Sequence, residues 1–159
     1  MLKFRLTISV TTALLLGGCA LQSVQPGASR DQVTARFGGP SKVVPLASGT
    51  RLQYSRQPNG QSAIMVDLDT TGRVVSVREM LNPAGFARVA VGQWTREDAE
   101  REFGRPATID RVASWPGDIL TYRWLDIDRD MLFWIYLDTN NVVQRIGQGM
   151  EIPVRIMDN

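Results

Sequence analysis

Apolar and polar positions along the chain alternate in two distinct periods, and the period changes in the same order twice. From Ser29 the sequence Ser-Arg-Asp-Gln-Val-Thr-Ala-Arg-Phe places Val33 and Phe37 four residues apart, the spacing of one helix face. Ser29 and Gln32 stand where a capping box requires them, Gly38 supplies the stop, and Pro40 prevents resumption. These signals predict a helix of about two turns, too short to be stable without packing. The period then falls to two: Lys42 to Leu46, Thr50 to Ser55, Ser62 to Leu68 and Val74 to Met80 read as strands. Ala47-Ser48-Gly49, Gln57-Pro58-Asn59-Gly60 and Asp69-Thr70-Thr71-Gly72 carry the turn residues between them. Within the third run Ile64, Val66 and Leu68 share one face, and Met65 and Asp67 share the other. The expectation is an antiparallel sheet covered on a single side.

The whole pattern then recurs. Thr95 to Pro106 restates Ser29 to Pro40 at a constant spacing of 66 positions, with cap, phenylalanine, glycine and proline in register. Tyr54 is matched by Tyr122, Leu68-Asp69-Thr70 by Leu137-Asp138-Thr139, and Val74-Val75 by Val142-Val143. Two tandem units follow from this: residues 29–81 and 82–159, the second ending in an extended tail. The fold class is α+β, each unit having one or two short helices packed on one face of a small antiparallel sheet. Between the units, Asn82-Pro83 followed by Ala84 to Ala87 predicts a capped helical turn, with Phe86, Val89 and Val91 available to a core. After Val143 the chain passes through Gly147-Gln148-Gly149, and Met150 to Ile156 alternates like an edge strand blunted by Pro153.

The start of the chain follows a different rule. Lys3 and Arg5 precede an uncharged, mostly apolar run from Leu6 to Leu16, of secretory length and too short to span a bilayer stably. Leu16-Gly17-Gly18-Cys19 looks like a bacterial lipobox. That resemblance implies a signal peptide over residues 1–18, lipidation of Cys19, and a lipidated tether over 19–28, in which Pro26-Gly27 breaks any periodicity. Two or three acyl chains on Cys19 anchor stably, where one is marginal. Ala20, in place of the aspartate that retains such proteins at the inner membrane, implies the periplasmic face of the outer membrane.

Composition narrows the chemistry. Loss of Lys3 and Arg5 with the signal takes the formal charge from +2 to zero, so the pI near 9.0 belongs to the precursor and gives no support to nucleic-acid binding. The chain has no histidine and one cysteine. With Cys19 lipidated, Ser-His and Cys-His catalysis and His or Cys metal sites are excluded, and no cofactor is implied. Asp126, Asp128 and Asp130 open like a calcium loop, but Met131 stands where that loop needs glycine and Leu137 where it needs glutamate, so a solvated hairpin loop is expected there. Residues 20–81 carry seven basic and four acidic side chains and residues 82–159 nine and twelve, a dipolar distribution.

The lipobox, the Pro-Gly that follows it, the Phe-Gly-x-Pro helix end and the Leu-Asp-Thr turn together resemble the SmpA/OmlA, or BamE-like, lipoproteins. Phe86 to Gly92 ahead of the Thr95 helix strengthens the likeness in the second unit. The duplication is similar to the β-lactamase inhibitor protein fold. The first resemblance implies helices on a small antiparallel sheet and an envelope or outer-membrane assembly protein as partner. The second implies an alternative, a periplasmic inhibitor or small-ligand sensor using its sheet surface. The residues expected to carry contact lie on the second sheet. If Phe133, Ile135 and Leu137 point inward like Ile64, Val66 and Leu68, then Leu132, Trp134 and Tyr136 point outward. Arg123 shares that outer face and is expected over an aromatic ring. Trp, Tyr and Arg are enriched at protein interfaces, although the other repeat or the tail could equally cover this face. The reading from sequence is a membrane-anchored, non-enzymatic interaction protein.

Overall fold

A computed structural model describes residues 24–152; Cys19 with its lipobox, and Pro153 to Asn159 of the tail, lie outside the described residues. The first helix, α1 (Arg30–Phe37), is followed by β1 (Lys42–Leu46), β2 (Gly49–Ser55), β3 (Ala63–Leu68) and β4 (Val74–Glu79). Next come α2 (Pro83–Phe86), α3 (Arg96–Phe103), β5 (Thr108–Asp110), β6 (Ile119–Asp126), β7 (Arg129–Leu137) and β8 (Val143–Met150). The strands form two four-stranded antiparallel sheets in the orders β1-β2-β3-β4 and β5-β6-β7-β8. The fold is α+β and consistent with two tandem units.

The repetition extends to single hydrogen bonds. Ser29 and Thr95 both cap their helices through complete capping boxes, with Gln32 and Asp98 answering, and Gly38 and Gly104 end them at φ near 81° and 80°. Asp69 Oδ1 accepts the amides of Thr71 and Arg73 at 2.8 and 3.0 Å, and Asp138 Oδ1 accepts those of Asn140 and Val142 at the same two distances. Each of these turns also bridges back to the cap of its own unit's helix, Arg73 to Ser29 and Val142 to Thr95. Gly49 and Gly117 are a further pair: a Cβ on either would overlap a backbone carbonyl, that of Leu68 or of Leu137.

Two clusters of buried residues hold the sheets. Val33 of α1 joins Leu52, Tyr54, Val66, Leu68 and Val74, with Phe37 and Ile64 against them. Ala99 and Phe103 of α3 join Phe86, Leu120, Tyr122, Trp124, Phe133, Ile135, Leu137 and Val143. There the Phe86 ring stacks on Phe133 at 3.9 Å between centroids. Ala63, Met65, Met80 and Leu81, from the first half of the chain, belong to this second cluster.

That last assignment corrects the expectation of a sheet covered on one side. Met65 is fully buried, and on its face of the first sheet Arg51 is 4% and Gln53 1% exposed. The reason is α3, which lies against that face. Gln53 Nε2 donates to the carbonyls of Glu100 and Arg101 at 3.0 and 2.9 Å, and Arg51 Nη1 donates to the Arg101 carbonyl at 3.0 Å. These acceptors belong to the last turn of the helix, where cations are favoured; the Glu100 carbonyl also accepts the Gly104 amide at 2.9 Å.

Other departures are smaller. Gly27 and Ala28, read as the end of a tether, hydrogen-bond to the carbonyl and amide of Val74. Phe86 and Val89 are buried as expected, whereas Val91 is exposed. The edge strand is β8, running through Gly147 and Gly149 and ending at Met150, so the strand starts earlier than the predicted Met150–Ile156 tail. The β6–β7 connection is a two-residue loop, Ile127-Asp128, with Asp126 and Asp130 already in the strands.

Candidate partner-binding face

Cross-strand register defines the outer face of the second sheet. Ile119, Thr121 and Arg123 of β6 stand opposite Tyr136, Trp134 and Leu132 of β7, and these stand opposite Arg145, Gly147 and Gly149 of β8. Phe133, Ile135 and Leu137 point the other way and are fully buried. Leu132, Trp134 and Tyr136 are half-buried. Since α1 belongs to the first cluster and α2 and α3 to the second, none of the described helices covers this face.

The two glycines of β8 make room for Trp134. A Cβ at Gly149 would stand 2.7 Å from Trp134 Cη2, and one at Gly147 would stand 3.5 Å from Cε3, so the indole lies along the bare backbone of the edge strand. Tyr136 is held differently. The Arg145 guanidinium sits over its ring at 3.9 Å and over Trp115 at 5.4 Å, and the Trp115 and Tyr136 rings meet edge to face at 5.2 Å. Trp115 comes from the β5–β6 loop and is fixed by its indole N–H, which donates to the Leu137 carbonyl at 2.6 Å. The result is an aromatic strip with a cation at one end.

Arg123 does lie on the outer face, but not over a ring. Its Nε donates to both Glu151 carboxylate oxygens at 2.9 and 2.8 Å, and its Nη1 donates to the Pro58 carbonyl at 3.1 Å. Gln57 brackets its backbone, accepting from the amide at 3.2 Å and donating to the carbonyl at 2.6 Å. The β2–β3 loop therefore clamps Arg123 at one border of the face, and the cation that stacks on aromatic rings there is Arg145 instead. Trp115 and Arg145 were not singled out from sequence. The available signals were a tryptophan inside the turn-rich Ser114-Trp115-Pro116-Gly117 and the repeat spacing, which sets Arg145 beside Tyr136.

Under the corresponding face of the first sheet lies a charged seam. Arg51 Nε and Nη2 grip the Asp67 carboxylate at 2.6 and 3.0 Å, Arg51 Nη1 meets Glu102 at 2.6 Å, and Arg78 Nη2 reaches Asp67 at 2.7 Å. Burial pushes the Asp67 carboxyl up, but the Arg51 hydrogen bonds and the charges of Arg51 and Arg78 outweigh it and leave its pKa below the ordinary carboxylate value. Burial, assisted by the nearby Glu100 carboxylate and opposed by Arg96, drives the Tyr122 phenol well above its usual value, and its hydroxyl donates to the Gly104 carbonyl at 3.0 Å. It titrates nothing near neutrality.

No protein-family model matches the chain, and no curated protein matches it. Among solved structures it is similar to a DUF4309 family protein, YjgB, from Bacillus subtilis. The two share 15% identity over 82% of this chain and 84% of that one, with a TM-score of 0.34, too remote a likeness to transfer fold or function.

Proposed function

We propose that the chain is a lipid-anchored, non-enzymatic interaction module whose outer aromatic face on the second sheet docks a partner protein of the bacterial envelope, in outer-membrane protein assembly or envelope integrity. Cys19 is the lipidated residue and the periplasmic face of the outer membrane is the site of anchoring. Each unit is read as a helix laid on one face of its own sheet. In the first unit the opposite face is then taken by the helix of the next repeat.

One observation carries the reading. The face that the first sheet buries beneath α3 has an equivalent on the second sheet that no described helix covers, and its residues have changed. By the repeat spacing Met65, Asp67 and Ser76 become Trp134, Tyr136 and Arg145, the residue types enriched where proteins meet. Anchoring raises the local concentration of such a face, so modest affinity suffices.

The test is recovery of bound proteins from detergent-solubilised envelopes with wild type and with Trp134→Ala plus Tyr136→Ala. A partner lost in the double variant, with melting temperature retained, supports the reading, and identical partner sets remove the face from consideration. Cys19→Ser should release the chain from membranes, and continued membrane attachment with full activity would overturn the anchoring.

A further inference from the structure

We propose that a second copy of this chain is itself a partner, through insertion of the β6–β7 hairpin tip of each copy into a hollow beside α1 of the other. The tip is unusual in two respects. Ile127 has φ 59°, in the left-handed region that a β-branched residue rarely enters and that hairpin loops normally give to Asn or Gly. It is also 88% exposed. The two-residue turn itself calls for the positive φ, but nothing in the folded monomer calls for an exposed isoleucine there, and such an outlier motivates the search for a contact made elsewhere. Leu125, Met150 and Ile152 are exposed at the same end of the sheet, at 49, 63 and 78%. Three carboxylates, Asp126, Asp128 and Asp130, surround the tip; among the described residues the one cation paired with them is Arg129, which meets Asp126 at 2.8 Å.

The complementary surface is on the first unit. A hollow of about 210 Å³ is lined by Phe37, Tyr54 and Ile64, with Ser41 and Arg56 at its rim. It is open, carries both apolar and polar surface, and is large enough for one isoleucine side chain. Arg36 lies over the Phe37 ring at 5.8 Å. Both Arg36 and Arg56 are exposed, and neither is paired with a described carboxylate. An apolar tip ringed by acids thus meets a hollow that offers the Phe37, Tyr54 and Ile64 side chains beside guanidinium groups, and the opposite charge balances of the two halves favour the same encounter.

Position supports reciprocity. Arg56 opens the β2–β3 loop, and two later residues of that loop hold the hairpin of the same chain. Gln57 brackets Arg123, and Gln61 Nε2 donates to the Trp124 carbonyl at 3.3 Å and to Asp130 at 2.7 Å. Tip and hollow therefore flank one loop. In the proposed pair each copy gives its tip and takes the other's, the closed arrangement of an isologous dimer. The acidic ring argues against an anionic lipid surface as the occupant. This contact uses a different surface from the aromatic face and stands whether or not that face binds anything.

Sedimentation velocity of the full chain in mild detergent, over a range of concentrations at low and high salt, tests it. A monomer–dimer equilibrium weakened by salt is expected. Ile127→Gly should raise the dimer Kd by about tenfold or more while leaving the melting temperature equal or higher, because glycine relieves the positive φ. Arg56→Glu should weaken the dimer similarly, and Arg56→Asp combined with Asp128→Arg should recover it. A monomer at every concentration, or a dimer indifferent to Ile127→Gly, would overturn the proposal. So would a dimer lost only with Trp134→Ala, which moves the contact to the aromatic face, or loss of binding to phosphatidylethanolamine–phosphatidylglycerol vesicles in Ile127→Gly, which makes the tip a lipid contact.

Discussion

Arg51 Nη1 donates to Glu102 Oε1 at 2.6 Å, joining the second strand of the first sheet to the helix of the second repeat. Both side chains are largely removed from water, and Arg51 is also the cation that offsets Asp67. Removing one partner of such a pair leaves uncompensated charge, whereas the intact pair by itself adds little. Arg51→Ala should therefore cost about 3–5 kcal/mol by chemical denaturation. The wild type should unfold in one transition, with far-UV circular dichroism and tryptophan fluorescence coincident, because the first sheet and α3 share buried area. Two separated transitions in the wild type would show that the seam does not couple the repeats.

The contact of Trp134 with Gly149 sets a second expectation. Gly149→Ala places a methyl 2.7 Å from Cη2, where the end of the side chain has to move, while Gly147→Ala meets the ring at ordinary van der Waals distance. Gly149→Ala should shift the tryptophan emission with little change in melting temperature, and Gly147→Ala should leave both unchanged. The shift should vanish when Gly149→Ala is made in a Trp134→Phe background. Its persistence there would mean that another tryptophan reports the change.

Much of this architecture was legible because its causes are local. Ser29 with Gln32, and Thr95 with Asp98, need only three residues to declare a helix start, and alternation alone separates Phe133, Ile135 and Leu137 from their neighbours. What alternation could not reveal is the burial of Arg51, Gln53 and Asp67. Polar residues read as solvent-facing unless a partner is visible, and the partner here is a helix some fifty positions away, offering carbonyls and one carboxylate. The aromatic face was found by the same alternation, but its internal arrangement was not. Glycines argue against a strand interior, so Gly147 and Gly149 concealed β8, and with it the position of Arg145. Arg123 was placed on the correct face and given the wrong partner, because Glu151 and Gln57 reach it from outside its own hairpin.

Arg145 supplies a third expectation. Its guanidinium covers Tyr136 and touches Trp115 at an exposed site, where such stacking contributes about 0.5–1 kcal/mol. Arg145→Ala should lower stability by that order. Arg145→Lys should recover little of it, since an ammonium lacks the planar group that stacks on a ring. Equal stability of the lysine variant and wild type, measured by urea denaturation, would mean that charge alone accounts for the effect.

Acid should expose the turns that the two repeats share. Asp138 is held below the ordinary carboxylate range chiefly by the Val142 amide, and Asp69 by the Thr71 hydroxyl and the Arg73 amide. Asp98 is held down by the Thr95 amide at the start of α3. Folding lowers these pKa values, so the charged forms stabilise the native state. Their contribution is complete above the unfolded-state pKa, near 3.9 for aspartate, and disappears as pH falls through the lower folded values. Urea midpoints should thus be level from about pH 7 to 5 and decline below about pH 4. Asp138→Asn retains an oxygen able to accept the Asn140 and Val142 amides but cannot titrate. Its midpoint should be lower than that of wild type at neutral pH, and its decline into acid should be shallower, so that the two curves converge as the wild-type carboxyl protonates. Parallel curves across the whole range would show that this turn carboxylate is not among the groups that couple stability to pH.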